Sequence, residues 1–207
     1  FLQGLRDMLK GNSNSSVNMT VKWDGAPAIF CGQHPETNQF FVAKKSLFNK
    51  EPKFYTSESE IKNADELSGA LKEKFLTSFQ CLSKLSWNTI MQGDLMYTND
   101  KKMQKIDGKS FVTFQPNTIM YAVDINSDLG KEIANSKMGI VFHTTYTGST
   151  IEDLGASFGA NFLRMVGMGP WVSYVFCFFF DAFAIALGKG AAAAFAPGRP
   201  ALRPMAA

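Results

Sequence analysis

Val21-Lys22-Trp23-Asp24-Gly25-Ala26-Pro27-Ala28-Ile29-Phe30-Cys31-Gly32 decides how this chain is read. Residues 17–23 and 27–32 alternate as two strands of a hairpin, so Asp24-Gly25 falls at their junction. Gly25 permits a tight backbone turn and Pro27 stiffens it. A lysine, one spacer and Asp-Gly at such a junction place an amine and a carboxylate side by side at one sheet edge. Lys105-Ile106-Asp107-Gly108 repeats the pattern. That copy reads as an ordinary turn, because its surroundings offer no companion motifs.

Working outward, Phe1 to Leu9 has helical spacing and is broken by the polar cluster Gly11 to Ser16. Gln39 to Ala43 is a third strand, ending in Lys44-Lys45-Ser46. A polar loop covers 49–59. Ile61 to Leu85 reads as one helix, with Leu67, Leu71, Phe75, Phe79 and Leu82 on a common face. A strand at 89–91 runs into Gln92-Gly93-Asp94-Leu95. Ser110 to Phe114 and Thr118 to Val123 are strands, Leu129 to Asn135 a short helix, and Met138 to Tyr146 a β-branched and aromatic strand. The expected class is α+β, with mostly antiparallel sheets and flanking helices.

The chain has 207 residues and 45% apolar content, enough for one packed domain plus a tail. The net charge of +3 arises after residue 155. There Arg164, Lys189, Arg199 and Arg203 face only Asp181, whereas residues 1–155 are balanced. Basicity is therefore poor evidence for nucleic-acid binding by the folded part. Cys31, Cys81 and Cys177 form no CxxC pair, so neither zinc nor a disulfide framework is expected. A reducing, cytoplasmic setting fits them.

Opening at Phe1 in mid-pattern, the sequence reads as a fragment. Its expected division is a partial catalytic domain at 1–155 and an atypical apolar, then Ala/Pro/Arg-rich tail at 156–207. Trp171 to Leu187 is almost wholly apolar. Asp181 near its centre would cost a membrane span about 2.5–3.5 kcal/mol. The tail reads foremost as out-of-frame translation, with a membrane segment and a buried helix as alternatives.

Nucleotidyl transfer needs an activated amine, cations for phosphate charge, a carboxylate for a metal or the ribose hydroxyls, and an aromatic slot for the base. Lys22 offers the amine and Lys44 and Lys45 the cations. Asp94, after Gly93, offers the carboxylate. Tyr121 and Phe142 are aromatic residues on strands. Each has an ordinary reading too: Lys22, Lys44 and Lys45 as solvated strand ends, Asp94 as a turn residue, Tyr121 and Phe142 as core. His143 and Asp124 read as structural residues before ligands.

In this order the chain resembles the adenylation domain of the covalent nucleotidyltransferase superfamily, which comprises ATP-dependent DNA ligases, RNA ligases and capping enzymes. The first family motif, Lys-x-Asp-Gly, is matched by Lys22, Asp24 and Gly25. Lys44-Lys45-Ser46 loosely matches the next. Gly93-Asp94 matches an aromatic-x-Gly-Glu motif with Asp for Glu, and Tyr121 to Asp124, or Ile140 to His143, an aromatic-x-Phe-Asp strand. Val21 to Ala28, Ala43 to Lys50, Phe114 to Thr118 and Gly139 to Thr144 look like a tailed-phage group of RNA-ligase-like proteins. The resemblance covers residues 1–162.

It implies an ATP-grasp-like ligase architecture, C-terminally incomplete. It also implies a lysyl-AMP intermediate on Lys22, with Asp24, Gly25, Lys44, Lys45, Tyr121 and Phe142 around the nucleotide. Asp94 would hold Mg²⁺ or Mn²⁺, and AMP would pass to a 5′-phosphate end of RNA ahead of DNA. The protein would be a monomer without zinc or membrane attachment, in the cytoplasm, or the host cytoplasm if phage-encoded. Two departures stand out. Lys137-Met138-Gly139 lacks the family's Glu before Gly, and no closing Lys-x-Lys is visible. The alternative is a truncated or degenerate module that binds nucleotide or nucleic acid without catalysis.

Overall fold

The computed structural model describes residues 24–158, with backbone also at 175–176, 185–188 and 191–193. Lys22, the strand at 17–23, the helix from Phe1 to Leu9 and most of the 171–187 run lie outside the described residues.

Two largely antiparallel sheets and a few helices make up the described part, a mixed α/β arrangement. The larger sheet has the order β10-β8-β4-β1-β2-β3, with β9 also on β8. Its strands are β1 (Ala28–Gln33), β2 (Phe40–Ala43), β3 (Phe54–Tyr55), β4 (Ile90–Tyr97), β8 (Gly139–Thr147), β9 (Gly155–Phe158) and β10 (Val175–Phe176). The smaller sheet runs β12-β11-β7-β6-β5, from β5 (Lys102–Ile106), β6 (Lys109–Phe114), β7 (Met120–Asp124), β11 (Ile185–Gly188) and β12 (Ala191–Ala193). β9 straddles the expected boundary at 155 and pairs antiparallel with β8.

Helices α1 (Glu58–Asn63) and α2 (Gly69–Leu82) replace the single helix expected over 61–85. The apolar stripe is as read: Leu67, Phe75 and Leu82 are buried, and Leu71 and Phe79 pack against the same core. The backbone nevertheless breaks, because Ala64 ends α1 and Gly69 takes φ +50°. α1 starts where the Ser57 side chain accepts from the Glu60 N–H (3.3 Å), while the Glu60 carboxylate accepts from the Thr56 N–H (2.6 Å), a near capping box. α3 (Asp128–Asn135) is capped by Ser127, whose Oγ accepts from the Gly130 N–H (2.9 Å).

Strand alternation sorts the large sheet's side chains onto two faces. Ile29, Cys31, Val42, Met91 and Leu95 face α1 and α2, with Phe75 and Trp87. Phe30, Phe41, Ala43 and Ile90 lie on the opposite face, with Leu47 and Ile151. A third cluster joins the sheets: Met96 and Tyr97 of β4 pack with Val112, Phe114, Tyr121 and Val123 of β6 and β7, and with Ile133 of α3. The turn at Asp107-Gly108 closes the β5–β6 hairpin, both residues having positive φ (49° and 79°), as two-residue hairpins require. That copy of the Lys-x-Asp-Gly pattern is thus an ordinary turn.

Candidate functional site

The segment before β1 is sewn to β4. The Ala26 N–H donates to the Leu95 carbonyl (2.9 Å), and the Leu95 N–H donates to the Pro27 carbonyl (3.0 Å). In register, Ala28 lies opposite Asp94. Gly25 fits this junction because it has no side chain. A Cβ there would sit 2.6 Å from the Asp94 Cβ and 2.9 Å from the Leu95 oxygen. Close approach of two backbones is therefore what Gly25 supplies here.

The second sheet completes the junction. The Asp24 N–H donates to the Tyr121 hydroxyl (2.9 Å). Asn117, in the loop between β6 and β7, donates its Nδ2 to both Asp24 carboxylate oxygens at 3.1 Å each. The Tyr121 ring is stacked on Phe114, with centroids 5.4 Å apart, so its buried face belongs to the inter-sheet core and its hydroxyl to the site. Burial pushes the Tyr121 phenol above its ordinary range. The Asp24 amide pulls it down, and the Asp24 and Asp94 carboxylates push it up further. Both carboxylates thus act on one phenol at the seam between the sheets.

Beside them, β8 has an irregular register. Gln92 pairs with Thr144 and Gly93 with Phe142, which leaves His143 bulged. Its Nε2 lies 3.6 Å from an Asp94 oxygen, and its Nδ1 2.8 Å from the Thr144 hydroxyl. Bulges commonly re-aim side chains in this way.

The other expected residues divide. Lys44 Nζ donates to the Glu66 carbonyl (3.4 Å) at the α1–α2 connection, on the helix side of the sheet. Lys45 opens a 3₁₀ turn, Lys45–Phe48, and is exposed. Phe142 is buried in the helix-side core, its ring 5.8 Å from that of Trp87, and so lies on the face opposite Asp94. Asp124 organises its own turn, its Oδ1 accepting from the Asn126 N–H (2.9 Å). Met138, where the family resemblance calls for Glu, is buried in the helix-side core. Asn117 is a site residue that sequence reasoning does not single out, although its Gln-Pro-Asn-Thr loop carries part of the resemblance.

Among the described residues no three His, Cys, Asp or Glu side chains group as a metal site. Asp24 and Asp94 provide two carboxylates at the seam. That donor set fits Mg²⁺ carried in on a nucleotide, which proteins typically hold through one or two carboxylates plus substrate phosphates. No helix among the described residues is long and apolar enough to cross a membrane.

A model described as "Family of unknown function (DUF6267)" matches residues 1–169. The chain belongs to that family. The DUF6267 match spans every residue of the seam and the whole of β9, and ends before the Phe-rich run at 175–180. No curated protein and no solved structure matches the chain.

Proposed function

We propose that this domain is an ATP-dependent nucleotidyltransferase of the polynucleotide-ligase type, with Lys22 as the nucleophile. The observation that carries the reading is the Asp24-Gly25 junction. It is seated on β4 against Asp94 and tied to the second sheet through Tyr121 and Asn117. An adenylation domain binds its nucleotide between two antiparallel sheets, and this junction supports that architecture. Lys22 is two peptide units from Asp24, a Cα–Cα reach of about 7 Å.

In the proposed reaction the neutral Lys22 amine attacks the α-phosphorus of ATP. A P–N bond forms, the bond to pyrophosphate breaks, and the amine loses a proton. A 5′-phosphate oxygen of a nucleic acid, RNA ahead of DNA, then attacks the same phosphorus and releases the lysine. Asn117 holds the Asp24 carboxylate toward the seam, leaving its outward lone pairs for a ribose hydroxyl or a cation. Asp94 offers a second carboxylate, and His143 a proton-bearing group beside it. A bound Mg²⁺ would neutralise phosphate charge.

The first test is labelling with α-³²P-ATP. The parent chain is expected to form an adduct that is stable to base and labile to acid, and Lys22→Ala to form none at an unchanged melting temperature. Persistent labelling of Lys22→Ala removes the nucleophile assignment. The burial of Met138 favours a second reading, a module that binds nucleotide without transferring it. ATP binding without any adduct would support that reading over the first.

A further inference from the structure

One face of β4 carries Ile90, Gln92 and Asp94, while Met91 and Leu95 turn to the helices. Register places Phe30 beside Gln92, and Tyr146 beside Ile90, on that same face. The Lys45–Phe48 turn folds back over it. The Phe48 ring lies 5.2 Å from Phe30, edge-on at 79°, and 5.2 Å from Tyr146, tilted at 38°. Phe48 is 43% exposed, one of two large apolar side chains so placed among the described residues. It therefore roofs two aromatic neighbours and presents its outer surface to solvent.

Next along the strand, the Tyr146 hydroxyl donates to the Gln92 carbonyl oxygen (2.8 Å). This fixes the amide and leaves its NH₂ group as a positioned donor. One further step of about 7 Å reaches Asp94 and His143, so about 13 Å of strand separates Ile90 from Asp94. Over that length the face changes from aromatic, to amide, to carboxylate and imidazole. That order and span match a nucleoside triphosphate lying from base to phosphates.

We propose that Phe48, Tyr146 and Gln92 form the nucleobase end of the site. A purine ring stacks on the exposed side of Phe48, and the Gln92 amide donates to a ring acceptor at its edge. This rests on reading the domain as a nucleotidyltransferase, and it moves base recognition away from Tyr121 and Phe142, whose rings are spent in the core.

Isothermal titration of the full 207-residue chain with ATP, CTP and inorganic tripolyphosphate tests it. The parent should prefer ATP to both others. Phe48→Ala should weaken ATP about tenfold, the scale of one lost base–aromatic stack, and leave tripolyphosphate unchanged. Phe48→Trp should restore ATP binding, and Gln92→Met should weaken ATP alone. If Phe48→Ala binds ATP like a parent that also labels with AMP, the nucleobase lies elsewhere and only the ligase reading stands. Equal losses for ATP and tripolyphosphate in Phe48→Ala also overturn the assignment. A parent that binds neither and takes no label sinks both readings.

Discussion

Gly25 and Asn117 show what single residues do at the seam. Ala at position 25 would drive a methyl into the Asp94 Cβ and the Leu95 carbonyl, and neither is a flexible side-chain end. The segment must then lift off β4, so Gly25→Ala is expected to cost about 1–3 kcal/mol and to abolish AMP labelling. A urea midpoint equal to the parent's would contradict this close approach. Asn117 is an exposed donor, so its loss should scarcely move the melting temperature. Asn117→Asp replaces a donor with a second carboxylate facing Asp24, and like charges disfavour ionisation. We expect it to depress labelling more than Asn117→Ala does. Equal effects of the two would mean that the Asn117–Asp24 contact is not electrostatic. The sequence marked Asp24 and Asp94 by their places after a strand and a glycine. It could not mark Asn117, because a loop amide acquires meaning only from the carboxylate that the fold brings to it from 93 residues away.

Elements were legible where burial forces alternation. β1, β2, β6, β7 and β8 each bury at least two residues of one face or both, and their apolar patterns announce them. β4 runs through Ile90–Tyr97 rather than ending at 91, so Asp94 is a strand residue and not a turn residue; the polar Gln92-Gly93-Asp94 hides the strand's continuation. β5 leaves no apolar pattern in the sequence because it is an edge strand whose Lys-Met-Gln-Lys run is exposed throughout, as edge protection favours. The α1–α2 break is hidden for the opposite reason. The stripe from Leu67 to Leu82 continues across Ser68-Gly69, so periodicity alone hides the interruption. Gly69→Ala separates the two arrangements. In one continuous helix the change would stabilise, by removing backbone entropy from the unfolded chain. At φ +50°, with open space around it, the alanine Cβ meets no neighbour but strains its own backbone, at about 1 kcal/mol. A lowered thermal midpoint is expected, and a raised one would restore the single helix.

At the scale of the molecule, the described acids of the core share one electrostatic character. Burial is the leading cause raising the pKa of Tyr55, Tyr97, Tyr121 and Tyr146, and of Cys31 and Cys81. Tyr97 has the clearest geometry. It lies where the two sheets meet, 2% exposed, with its hydroxyl 2.9 Å from the Ser136 hydroxyl and its phenol pushed up to about 12. A phenol raised in the fold keeps its proton to higher pH than in the unfolded chain. The stability it contributes is complete below pH 10 and is lost as the pH rises toward about 12. Lys101 works in the opposite direction. Its ammonium donates to the Ile133 and Ser136 carbonyls but is partly desolvated, so its pKa is lowered and stability gains slightly as it deprotonates. One half-buried lysine does not offset six raised acids. The protein should therefore lose stability steeply above about pH 9, with Tyr97 contributing roughly 2–3 kcal/mol by pH 12. Urea midpoints taken from pH 8 to pH 11 should fall. In Tyr97→Phe they should start lower, because the buried Ser136 hydroxyl keeps only its bond to the Ile133 carbonyl (2.8 Å) and loses the one to the phenol, and then fall less steeply. Parallel slopes for parent and variant would show that Tyr97 is not the phenol that couples the two sheets to alkaline pH.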